Sequence, residues 1–90
     1  MDNDDALVAV GNEAQDLLDY QSFSKVIDSL VDECFQTIGN TQPNQSDKRE
    51  QSYFLYRAMV EIVNTLHQRV AVRDEIIAKR DSEISDSIGE

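Results

Sequence analysis

The sequence predicts an all-α fold, a helical hairpin or small helical bundle with one long C-terminal helix and a broken first arm. Three observations carry this. Apolar residues recur at spacings of three and four along three stretches, the period of one helix face. The 90 residues hold only three glycines and one proline, too few for a turn-rich β fold. The third stretch runs without proline or glycine from Lys48 to Ile88.

The first helix is expected over about residues 4–19. Leu7, Val10, Ala14, Leu17 and Leu18 make its apolar face, and Asp2, Asp4 and Asp5 suit the positive end of its dipole. Gly11 should weaken its middle by about 1 kcal/mol relative to alanine. Tyr20-Gln21-Ser22 reads as a joint, with Ser22 as the N-cap of a second helix over about 23–38. Phe23, Val26, Ile27, Leu30, Val31, Cys34, Phe35 and Ile38 form the strongest periodic stripe in the chain. Gly39-Asn40 reads as its C-cap pair.

Residues 40–46 are polar, carry the proline and read as a loop. Asp47 and Glu50 have the spacing of a capping arrangement for a third helix over about 48–80. Tyr56, Met59, Val63, Leu66, Val70 and Ile77 give that helix a heptad-like seam, which Arg73 interrupts. Residues 1–80 are expected to form a single helical domain. Residues 81–90 are expected to form an acidic, flexible tail.

The net charge of −10 argues against direct nucleic-acid binding, which calls for the opposite balance. Residues 1–40 carry nine acids and one base, a net of −8, whereas residues 41–80 carry five acids and seven bases. An acidic first arm against a mildly basic third helix suits an antiparallel pairing. The acidic start is unlike a secretory leader, and no apolar run reaches the length of a membrane span, so neither export nor membrane anchoring is expected. Asn44-Gln45-Ser46 matches a glycosylation sequon but reads as polar linker.

Little in the chain points to catalysis. His67 has no cysteine, aspartate or glutamate three or four residues away, so one helix turn does not supply two metal ligands. Cys34, the only cysteine, sits on an apolar stripe beside Asp32 and Glu33, an environment for a small hydrophobe and not for a thiolate nucleophile. Asp28 and Asp32 stand one turn apart, but a short hairpin offers little pocket to separate their pKa values. No phosphate loop or nucleophile elbow is present, and the reading is of a protein with no enzymatic activity and no cofactor.

Binding is better represented. Tyr53-Phe54-Leu55-Tyr56-Arg57 places four bulky residues in succession, which one stripe cannot accommodate, so two or more must face away from the intramolecular partner. The long third helix also exceeds what the second can cover. Tyr53, Phe54, Tyr56 and Arg57, with Val70, Ile76 and Ile77 farther along, are therefore candidate interface residues of a homo-oligomer. Asp16, Asp19, Asp28, Asp32 and Glu33 are the alternative candidates, an acidic face docking on a basic partner protein.

A longer pattern runs through Ala14-Gln-Asp-Leu-Leu-Asp19, Phe23, Ile27-Asp28, Leu30, Glu33, Thr41, Arg49-Glu50, Tyr53, Arg57-Ala58, Ile62, Leu66 and Val70. It resembles a group of small helical proteins encoded by tailed phages and prophages among head and packaging genes. The tryptophan that such proteins often carry near the end of the second helix is absent, with Phe35 or Thr37 in its place, and the third helix here runs on through Val72. The resemblance implies a virion or host-cytoplasm setting and a phage or host protein partner. It assigns no catalytic residue. Two functions follow as expectations: a non-enzymatic structural or assembly protein that packs helix faces against copies of itself or a larger virion component, or a small acidic inhibitor or regulator occupying a basic, nucleic-acid-binding surface of a host protein.

Overall fold

The computed structural model describes residues 3–88, with side-chain environments for residues 3–84. It is all-α: α1 spans Asn3–Asp19, α2 spans Gln21–Gly39 and α3 spans Ser46–Ile88, and no strand occurs among the described residues. The described residues form two compact units. One is Leu18–Asn64; the other combines described residues of Met1–Leu17 and Thr65–Glu90.

In the Leu18–Asn64 unit, α2 and the first part of α3 pair as an antiparallel hairpin. Cys34 and Ser52 are buried in it, and Phe35 and Tyr56 meet with ring centroids 5.0 Å apart. Farther from the loop, Ile27 and Val31 share an open groove with Met59, Val60 and Val63.

The break before α2 is a single residue. Tyr20 is extended (φ −77°, ψ 110°) and is itself the N-cap, without a side-chain capping bond. Ser22, expected as the cap, lies inside the helix instead. The Tyr20 carbonyl accepts from Phe23 N–H at 3.0 Å and Ser24 N–H at 3.3 Å, so the helical pattern restarts at once.

At the other end α2 stops where expected but by another device. Gly39 is the last helical residue and has no positive φ. The Asn40 N–H donates to Gln36 O at 3.0 Å, and the Thr41 hydroxyl donates to Ile38 O at 2.8 Å. These bonds satisfy terminal carbonyls without a left-handed residue.

The loop is shorter than expected, because α3 begins at Ser46 and not Lys48. Asp47 is therefore a first-turn residue beside the positive helix end and not the cap. Gln45 takes that place: its carbonyl accepts the Arg49 N–H at 3.2 Å, and its Oε1 accepts the Gln42 N–H at 2.8 Å. Arg49 closes the loop from the helix side, its Nη1 donating to Gln42 O at 2.7 Å and Thr41 Oγ1 at 3.1 Å.

In the other unit α1 runs antiparallel to the later part of α3. Arg80 pairs with Asp5 at 2.8 Å, and Arg73 donates to Asn12 at 3.3 Å and Gln15 at 3.2 Å. The helices meet most closely at Gly11. A Cβ there would overlap the Arg73 Cβ and stand 2.8 Å from the Arg69 carbonyl oxygen. The glycine that costs α1 helix propensity thus permits its close packing. Ala14, one turn on and only 3% exposed, continues the small-residue contact.

The helix expected to stop near Arg80 continues to Ile88. Once a helix is nucleated, each further residue adds one backbone bond, and nothing in Asp81–Ile88 breaks the run. Residues 89 and 90 of the expected tail lie outside the described residues.

Candidate functional site

The expected interface residues divide between the two units. Tyr53, Phe54, Tyr56 and Arg57 lie in the Leu18–Asn64 unit, whereas Val70, Ile76 and Ile77 lie in the other.

Of the aromatic run only Tyr56 turns inward, half-buried against Phe35. Tyr53 is exposed, and Phe54 and Leu55 are 59% and 61% exposed. Tyr53 and Phe54 touch each other, with centroids 6.2 Å apart. Arg57 is exposed and pairs with Glu61 at 3.8 Å on the same helix face, a contact contributing about 0.3–0.5 kcal/mol.

In the other unit Val70 and Ile76 are half-buried, while Ile77 is exposed and drops out of the expected seam. On α3, Val72, Arg73 and Arg80 are half-buried as well, and with Ile76 they are spaced as one face toward α1. Arg73 interrupts the apolar seam because that face carries the polar contacts to Asn12 and Gln15. Leu7 and Val10 with Thr65, Gln68, Arg69 and Val72 line a shallow apolar groove.

The sequence reading missed Val26, Leu30, Leu55 and Ile62 as exposed positions. All four are large, apolar and 41–61% exposed. A signal was present. The eight-residue stripe of α2 covers about half of the helix circumference at about 100° per residue, more than one antiparallel helix shields. The residues at its edges stay open to solvent.

Asp16, Asp19, Asp28, Asp32 and Glu33 are all exposed. Asp28 and Asp32 stand one turn apart on the side of α2 that carries Phe35. Glu33 follows Asp32 at once and so lies about 100° farther round, on the flank with Val26. It lines a polar depression with Gln36, Thr37, Asn40 and Lys48 near the loop.

Cys34 is free and buried, and His67 is exposed on α3. Among the described residues, no group of three or more histidine, cysteine or acidic side chains is placed to hold a metal ion. No described helix is long and apolar enough to cross a membrane. No buried side-chain nitrogen or oxygen among the described residues lacks a hydrogen-bond partner. The described residues present exposed apolar side chains on α2 and α3 and exposed carboxylates on α1 and α2.

No family model matches the chain, and neither the curated proteins nor the solved structures include one detectably similar to it.

Proposed function

We propose that this is a non-enzymatic assembly protein, which acts by burying apolar helix faces against copies of itself or a larger virion component. One observation carries the reading. Among the described residues only Ala14, Cys34 and Leu66 are buried hydrophobic side chains, while large apolar residues line the outside of both units. An isolated chain of this size leaves much of its driving force for folding unused in that state. Association is the ordinary way to recover it. The phage setting, in virion or host cytoplasm, rests on the residue pattern from Ala14 to Val70.

The direct test is twofold: the mass of the purified chain in solution, and immunodetection in purified particles from cells producing it. A multimer found in particles supports the proposal. A monomer absent from particles refutes it.

The second reading, an acidic inhibitor or regulator of a basic host protein, draws on the exposed pair Asp28 and Asp32. It has less support, because the acids of α2 do not form one stripe: Glu33 stands apart from the other two.

A further inference from the structure

We infer that α1 is an exchangeable arm: it swings on a single torsion at Tyr20 and takes, on α3 of a second copy of this chain, the seat that it holds on its own α3. This rests on the assembly reading and names the segment that joins the copies.

The break at Tyr20 has no breaker. Asp19-Tyr20-Gln21-Ser22 holds neither proline nor glycine, the usual causes of a sharp kink. The Tyr20 φ of −77° is already helical, and only its ψ of 110° departs from the helix. Its side chain makes no capping bond that would hold it there.

What holds the break is the phase of two helix faces. On α1, Leu7, Val10, Gly11 and Ala14 form the face toward the later part of α3. On α2, Ile27, Val31 and Cys34 form the face toward the first part of α3. At about 100° per residue, one unbroken helix through residues 3–39 would set the centres of these faces roughly 150° apart. Supercoiling, at about 20° per heptad, would recover only about 50° of that. An unbroken helix therefore seats one face on α3 and turns the other away. The extended residue at Tyr20 resets the phase.

Returning Tyr20 ψ to its helical value has two consequences. The two helices become one, which regains backbone bonds that a helix end leaves unmade. The α1 face, turned from its own α3, vacates a seat shaped for it. That seat comes so close at the Arg73 Cβ and the Arg69 carbonyl that only a glycine fits opposite. Beside it Arg73 donates to Asn12 and Gln15, and Arg80 pairs with Asp5. The α1 of a second copy brings the same glycine, amides and carboxylate. Reciprocal exchange thus remakes the α1–α3 contacts between copies and adds the bonds of the continuous helix, with no new surface required.

The test pairs short-range cross-linking with solution mass. Asp5→Cys and Arg80→Cys are made separately in a Cys34→Ala background, mixed, incubated and treated with a short thiol-to-thiol cross-linker, with far-UV circular dichroism to check each fold. We expect covalent heterodimers linked from residue 5 to residue 80, because exchange brings these positions of different copies together as they now meet within one chain. Gln21→Pro is the lock. Gln21 is exposed and is the first residue of α2, where proline is tolerated, and a proline there biases Tyr20 toward its extended ψ. Added to both chains, it should lower the heterodimer yield about 10-fold or more. Sedimentation velocity gives the mass of the wild type across a concentration series. If the wild type associates but no such heterodimer forms, or if Gln21→Pro leaves the yield unchanged, the exchange is wrong while the assembly reading stands. A wild type that is monomeric at every concentration overturns both.

Discussion

Arg73 Nη2 donates to Gln15 Oε1 across 3.2 Å, joining residues 58 positions apart in the chain. The same guanidinium reaches Asn12 Oδ1 at 3.3 Å and pairs with the adjacent Asp74 at 2.8 Å. A residue that looks like a flaw in an apolar seam is the polar tie between α1 and α3. Arg73→Met would restore an apolar seam but lose both cross-helix bonds. We expect a loss of about 1–2 kcal/mol and reduced hydrogen-exchange protection of residues 3–17. Unchanged protection would show that the tie is incidental.

Gly11 and Gly39 should respond oppositely to alanine. At Gly11 the new methyl meets the Arg73 Cβ and the Arg69 carbonyl, neither of which is a flexible side-chain end. The overpacking should cost about 1–3 kcal/mol and outweigh the gain in helix propensity. At Gly39 nothing lies within 4 Å of where the new methyl would stand and φ is not positive, so Gly39→Ala should stabilise by about 0.5–1 kcal/mol. Urea titrations at one fixed protein concentration decide both signs.

The loop clamp can be measured as a coupling. Arg49 bonds both the Thr41 hydroxyl and the Gln42 carbonyl, and the Thr41 hydroxyl itself bonds Ile38 O. In a double-mutant cycle with Thr41→Val and Arg49→Met, the interaction energy should be about 0.5–1.5 kcal/mol. Additive effects would mean that the two residues act separately.

The Arg80–Asp5 pair is open to solvent on both sides despite its 2.8 Å separation. Arg80→Ala should therefore cost less than about 1 kcal/mol in dilute buffer and almost nothing in about 1 M salt. A larger loss that persists in high salt would require the arginine's stem to contribute packing.

How much of this was legible before the structure depended on the kind of signal. Helix existence was plain, because Phe23 to Ile38 and Tyr56 to Leu66 repeat at helical spacing over several turns. Helix ends were less so. Ser22 is a better capping residue than Tyr20, but the break is one residue long and the backbone takes the cap at Tyr20. Gly39 suits a left-handed cap, yet the Thr41 hydroxyl makes that unnecessary. The thinning apolar stripe after Val72 suggested an end near Arg80, although a helix does not need an apolar stripe to propagate and no proline or glycine stands in Asp81–Ile88.

The candidate surface was half legible. The aromatic run announced that some side chains must face outward, and Phe54 does. Which neighbours join it depends on how α2 and α3 are rotated about their axes, which places Leu55 and Ile62 outward and Tyr56 inward. A spacing pattern does not contain that rotation. Gly11 was legible only as a cost, because its benefit lies in Arg69 and Arg73, 58 and 62 positions away.

The central claim is that copies of this chain join through apolar helix flanks. Light scattering after size exclusion, at low and at high salt, tests it most directly. We expect a defined multimer whose mass is unchanged or larger in high salt, because salt screens the repulsion between acidic chains and leaves apolar burial intact. A monomer under both conditions, or a multimer that falls apart as salt rises, would contradict it.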